Sequence, residues 1–181
     1  MKYIIILLFP CYIMAQTEEQ AYDIIAIKAT YEIRYYPPVM MAEYKSANNS
    51  SSGFRSLFRY ISGSNETQTK IAMTTPVHMN ETENGRSMAF VLPKKFKPES
   101  TPLPKESKVK IFQSKGGYYA SIRYSGYTNA TKEKKYTEEL KASLVQENIK
   151  ITGAAKVFVY NSPYDFFNRR NEISIPIVWD E

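Results

Sequence analysis

Cysteine, histidine and tryptophan each occur once in this chain of 181 residues, as Cys11, His78 and Trp179. A lone cysteine excludes an intrachain disulfide, and a lone histidine excludes the His/Cys clusters that hold structural zinc. The same scarcity removes most nucleophile–base pairs used in covalent catalysis. Glycine is sparse at 7 residues, and no Gly-rich phosphate loop is present. No apolar run reaches the roughly 20 residues that a membrane-spanning helix needs. Net charge is +6 but spread along the chain, with no zinc-finger spacing and no Arg-rich arm, so no nucleic-acid partner is expected. The densest basic run, Lys132, Lys134 and Lys135 mixed with Glu133 and Glu138, reads as a solvated helix face.

What the chain has in excess is aromatic surface. Aromatic residues make up 14%, led by 15 tyrosines, within an ordinary 43% hydrophobic content. Tyrosine joins a wide apolar ring to a polar tip, which suits a β-rich core or a ligand face. The length fits one domain with a sizeable core.

The first residues do not belong to that domain. Lys2 gives a minimal positive start, Tyr3 to Phe9 is a short apolar run, and Ala15–Gln16 is a small-residue exit. Residues 1–15 therefore read as a secretory signal peptide, cleaved after Ala15, and the protein is expected in the periplasm or outside the cell. The rival is a lipid anchor on Cys11, although Pro10 is a poor fit beside it. Cleavage removes Lys2 and Cys11, leaving 23 basic against 18 acidic residues, a net charge of +5, and no thiol.

From Tyr31 onward the chain alternates as strands do. Tyr31, Ile33 and Tyr35 share one face, with Glu32 and Arg34 on the other, until Pro37 and Pro38 break the run. Val39 to Tyr44 forms the next strand. Phe54, Leu57, Phe58 and Ile61 recur at helical spacing, and Gly63 is placed to end that helix. Lys70 to Met79 is extended, and Met88 to Leu92 is a strand stopped by Pro93. The order then recurs: strand Val109 to Gln113, a turn at Lys115–Gly117, strand Tyr118 to Tyr124, and a helix capped by Thr128 or Asn129 and running to about Asn148. Ala155 to Tyr160 and Glu172 to Val178 close the set. Ile33 aligns with Ile111 and Ala42 with Ala120, both at an offset of 78. The fold expected is α+β: two ββαββ repeats forming a distorted, mainly antiparallel eight-stranded β-barrel flanked by two helices. The Pro-containing stretch Phe96 to Lys108 reads as an exposed connection between the halves.

Four segments, in order, resemble the SOUL haem-binding family. They are Tyr31-Glu32-Ile33-Arg34-Tyr35-Tyr36-Pro37, Gly53 to Asn65, Lys70-Ile71-Ala72-Met73-Thr74-Thr75-Pro76-Val77, and Arg169-Arg170-Asn171-Glu172. The likeness runs from about residue 22 to 178. It implies a two-repeat β-barrel with flanking helices, a monomer that binds haem or another tetrapyrrole non-covalently, and no established catalytic activity. It also implies a site on an apolar face near the first helix, together with the loop before the last strand. In this chain those positions are Phe54, Leu57, Phe58, Arg59 and Ile61, and Tyr164, Phe166, Phe167, Arg169 and Arg170.

The residues themselves leave alternatives open. A porphyrin is a flat apolar disc with carboxylates on one edge, so it needs aromatic area and a nearby cation. Phe166 and Phe167 supply area, or else fold back as a plug on the barrel. Arg169 or Arg170 could fork onto a propionate, or could pair with Glu172. The stripe Phe54, Leu57, Phe58 and Ile61 reads first as core. His78, the sole imidazole, is the one residue that could give imidazole ligation, yet strand parity sets it opposite Ile71, Met73, Thr75, Val77 and Met79, where it reads as an exposed strand residue, and ligation by Met or by a tyrosine such as Tyr164 stays open. Two other functions stay open: a carrier or sensor for another hydrophobic small molecule, which analogy of fold alone suggests, and an acid–base enzyme using Glu and Tyr in a barrel cleft. Sequons occur at Asn48, Asn49, Asn65, Asn80 and Asn129.

Overall fold

The computed structural model describes residues 17–46, 52–82, 85–162, 164–165 and 167–180. The expected signal peptide with Cys11, the sequons Asn48 and Asn49, and Phe166 lie outside the described residues. The elements in chain order are β1 (Glu18–Glu19), β2 (Asp23–Ile27), β3 (Glu32–Tyr36), β4 (Met40–Ser46), α1 (Ser52–Ile61), β5 (Thr74–Thr75), β6 (Val77–Thr82), β7 (Gly85–Val91), β8 (Val109–Gln113), β9 (Gly117–Ser125), α2 (Ala130–Gln146), β10 (Lys156–Val159) and β11 (Arg170–Ile177). The α+β class holds, with one large antiparallel sheet ordered β2-β3-β9-β11-β10-β6-β7-β4-β8 and a small parallel pair, β1-β5.

Two features depart from the eight-stranded barrel. The run Asp23–Ile27 forms a ninth strand on β3, with a register shift between Ile24 and Ala26. The sheet also stays open: β2 and β8 are its two edges, so it is a curled half-barrel. The curl shows in side-chain contact. Tyr36 on β3 and Phe158 on β10 are separated by two strands, yet their rings lie 5.9 Å apart, edge to face. Strands spaced about 4.8 Å apart in a flat sheet would hold them well beyond contact.

Leaving out β2, the strand order is unchanged when the two halves of the chain exchange places. A shift of 78 residues carries the pair Ile33↔Ala120 onto Ile111↔Ala42, and carries the central pair Met79↔Val157 onto itself. The correspondence is incomplete: β2 has no counterpart beyond β8, and β6 turns directly into β7 whereas β10 reaches β11 through residues 160–169.

Both helices lie on the outer face of the curl. α2 covers Ile33, Ala120, Ile122, Ile173 and Ile175 through Leu140 and Leu144, all within one buried cluster. α1 covers Ala42, Phe90 and Val109 through Leu57, Tyr60 and Ile61 in a second. Each such fully buried side chain contributes roughly 1.5–3 kcal/mol. The caps follow the sequence. Asn129 accepts from the Lys132 N–H, while Thr128 turns to Tyr124 and Glu133 instead. Gly63 takes a positive φ of 108°, and the N–H groups of Gly63 and Ser64 close on the carbonyls of Tyr60 and Arg59. Among the described residues no helix is long and apolar enough to cross a membrane.

Two expectations need correction. Glu133 is not on a solvated face: it is buried and bonded to Arg86 and Thr128, tying the start of α2 to the β6–β7 hairpin. The Phe96–Lys108 connection is not simply exposed, because Thr101 and Pro102 pack inward and the Pro102 carbonyl accepts the Tyr60 hydroxyl at 2.8 Å. On the polar side of β3, Arg34 is buried on the inner face of the curl, donating to Glu172 at 2.7 and 3.2 Å.

Candidate functional site

The two helices leave the middle of the outer face uncovered. Val77 of β6 and Val159 of β10 are paired there, and they floor a groove of about 550 Å³ together with Met73 and Thr75. One wall is α1, through Phe54 and Phe58, whose rings stack 5.9 Å apart at 13°. The opposite wall is the loop 160–169, through Asn161, Ser162, Asp165 and Asn168. Thr17, Glu19, Tyr160 and Arg170 close the end where the strands stop. The volume lies in the range of small-molecule sites, and the lining joins apolar area to one cation.

The helix stripe divides between core and groove. Leu57 and Ile61 are buried and do not line the groove. Phe54 and Phe58 remain 39% and 50% exposed and do line it. α1 is rotated from the arc its apolar residues suggest, because Gly53, Ser56 and Tyr60 also face inward. Arg59 is exposed on the helix and does not line the groove.

The loop divides as well. Arg170 lines the groove, with its guanidinium 3.7 Å from the Tyr160 ring centroid and bonded to Glu172, Glu19 and Tyr22. Arg169 is buried and acts on the loop itself, donating to the carbonyls of Ser162 and Asp165 at 2.6 and 2.8 Å while stacking on Tyr127. Tyr164 and Phe167 stand 83% and 86% exposed, outside the groove lining.

Behind Arg170 lies an ionic cluster that the sequence did not announce. Glu172 is fully buried and accepts from Arg34, Arg170 and Tyr160. Burial opposes its ionisation, but the two guanidinium groups and the Tyr160 hydroxyl override that and hold its carboxyl below the usual range. The Tyr160 hydroxyl is pushed strongly upward by burial and by the adjacent Glu172 charge, so it stays a neutral donor. Burial opposes the charge on Arg170, yet Glu172 holds it firmly cationic. The pairing of Arg170 with Glu172 is thus structural, and the same guanidinium still lines the groove.

His78 has the predicted strand parity but not the predicted exposure. It points to the inner face of the curl, buried, stacked on Phe158 at 4.0 Å and with Nε2 2.8 Å from the Gln20 Oε1. Burial, helped by the nearby Lys156 charge, lowers its pKa to about 3, so the imidazole is neutral and donates to Gln20. Val77 floors the groove and His78 faces the other way, so no imidazole reaches the groove. Among the described residues no group of three or more His, Cys, Asp or Glu could hold a metal ion. Of the described sequons, Asn65 is buried and bonded to Tyr60 and Thr69, and Asn129 is the exposed cap of α2.

Sequence reasoning missed the segment Glu18–Gln20. It pairs with β5, places Gln20 against His78 and projects Glu19 to Arg170. Its only sequence signal was the polar run after the expected cleavage site, which carries no strand pattern.

Comparison with known proteins is consistent with this architecture. The EcmrR C-terminal domain superposes with a TM-score of 0.60 at 8% identity, over 87% of this chain and 98% of that one. A protein described as a hydrolase from Listeria innocua superposes with a TM-score of 0.57 at 14% identity, over 85% of this chain and 94% of its own. Both likenesses concern the fold alone. By sequence, the chain is 31% identical to human "Heme-binding protein 2" over 163 residues, covering 80% of this chain and 76% of that protein. The mouse protein of the same name is 29% identical, with 87% of each chain covered. The family profile described as "SOUL heme-binding protein" matches residues 17–176, and the chain belongs to that family.

Proposed function

We propose that this chain binds haem or a related tetrapyrrole non-covalently in the groove between α1 and the loop 160–169, as an exported, monomeric, non-enzymatic domain built from two copies of one ββαββ unit. The observation that carries the reading is the groove itself: the stacked Phe54 and Phe58 on one wall, Met73, Val77 and Val159 below, and Arg170 at the rim. The residues fit the group. A flat apolar disc needs aromatic and aliphatic area, and its acidic edge needs a cation, which Arg170 offers. A bound tetrapyrrole would supply an apolar disc and, with iron, an open metal coordination site. With no imidazole in the groove, affinity comes from covered area and charge. Membership of a family named for heme binding supports the ligand class. The register symmetry about Met79 and Val157 supports the two-unit reading.

The test is absorbance titration with hemin and fluorescence titration with iron-free protoporphyrin, on wild type and on Phe54→Ala combined with Phe58→Ala. Both rings are already half covered, so about half of the 1.5–3 kcal/mol for each fully buried ring is at stake. The double variant should lose about 2 kcal/mol, roughly 30-fold in affinity. Protoporphyrin should bind within a few-fold of hemin. A double variant that folds, by circular dichroism, and binds like wild type places the ligand elsewhere. Wild type that binds neither porphyrin below about 100 μM, some 5.5 kcal/mol of binding free energy, gives way to the carrier of another hydrophobic compound.

A further inference from the structure

We propose that Glu19 occupies the position of the ligand's carboxylate, so that an acidic amphiphile enters the groove by exchanging its own carboxylate for that of Glu19 on Arg170. The inference rests on the groove being the ligand site and names the ligand class it selects.

Arg170 donates to three side chains in this structure and stacks on the Tyr160 ring. Glu172 holds it from the buried side, the Tyr22 hydroxyl accepts from Nη2 at 3.3 Å, and Glu19 accepts from Nη1 at 2.9 Å from the groove side. The two acids are not equivalent. Glu172 is fully buried and shared with Arg34 and Tyr160, so withdrawing it would strand buried charge. Glu19 has a side chain 42% exposed and holds Arg170 by an ion pair of the weak, solvated kind. Glu19 is the partner that yields.

The backbone around Glu19 need not move for this exchange. Glu18 and Glu19 pair with Thr74 and Thr75, and the Gln20 N–H donates to the Thr75 carbonyl at 2.7 Å. The Glu18 side chain accepts from the Lys94 N–H, and the Gln20 side chain is held by His78. Strand alternation then leaves Glu19 as the one acidic side chain of this segment aimed at Arg170, along with Thr17 on the groove wall. A rotation of one exposed side chain frees the Nη1 donors of Arg170 in the groove that Phe54 and Phe58 also line.

The experiment titrates protoporphyrin IX and its dimethyl ester, which keeps the disc and removes both acids, against wild type, Glu19→Gln and Glu18→Gln. Removing the competing acid should tighten the diacid about 2–5-fold, the range that weak surface pairs span, and leave the ester unchanged. Glu18→Gln should alter neither. Equal affinity of wild type and Glu19→Gln for the diacid, or an equal shift for diacid and ester, overturns the exchange while leaving the groove as ligand site. Failure of wild type to bind either porphyrin overturns both.

Discussion

Because His78 is the only histidine, its burial can be read directly in the pH dependence of stability. The imidazole is neutral in the folded protein, with its pKa lowered to about 3 by burial and by Lys156. In the unfolded chain it titrates near the usual value of about 6.5. Between those two values the unfolded state binds the extra proton, so stability falls as pH drops below about 6.5 and goes on falling toward pH 3. Linkage gives a loss of about 2 kcal/mol at pH 5 relative to pH 8, with a slope approaching about 1.4 kcal/mol per unit. Glu172 and Glu147, whose carboxyl groups are held low, contribute only at more acid pH. Urea unfolding at pH 8 and pH 5 measures the difference. His78→Gln keeps a donor for Gln20 and cannot titrate, so its stability should change little over the same interval. Equal acid losses in both proteins, or an imidazole proton resonance titrating near pH 6.5 in the folded state, would refute the buried neutral assignment.

Other outcomes follow from the same contacts. Leu57→Ala should destabilise the fold by about 2–5 kcal/mol in thermal or urea unfolding, whereas Phe58→Ala, the next residue of the same helix, should cost well under half of that because its ring is already half exposed. Arg34→Met leaves Glu172 with one guanidinium fewer in a buried setting and should cost about 3–5 kcal/mol, against a near-neutral Lys45→Met on the exposed end of β4. His78→Gln should hold hemin within a few-fold of wild type, and loss of the Soret shift would instead make His78 an axial ligand. Intact mass of the exported protein should show the first 15 or so residues removed, and a diacylglycerol mass on Cys11 would establish the lipid anchor.

The strands were legible where side-chain alternation had an apolar face to report. Ile33, Ala42, Ile111 and Ala120 all lie under the helices, and their common offset of 78 is the register symmetry of the sheet. The inner face was not legible, because a curled sheet buries positions that alternation marks as polar. Alternation set Arg34 opposite Ile33 without saying what covers it; its partner Glu172 lies 138 residues away, and no local pattern links them. His78 failed for the same reason, since parity gives a side and not what covers it. In the site, the family resemblance named α1 and the loop before β11, both of which line the groove, yet it could not rank residues within them. Phe54 and Phe58 share a stripe with Leu57 and Ile61, and only the rotation of α1 on β4, with Gly53 close against Tyr44, decides which pair reaches the groove. The loop arginines are adjacent and chemically alike, but Arg169 lies outside β11 and ties the loop to itself, while Arg170 begins the strand and lines the end of the groove.

Mapping backbone amide shifts by NMR while iron-free protoporphyrin is added tests the central claim most directly. The largest changes should fall on Phe54, Phe58, Val77, Val159 and Arg170, the residues that bound the groove. Changes centred instead on the second outer-face hollow around Met79, Lys134 and Val157 beside α2, or on His78 and Phe158 inside the curl, would contradict it.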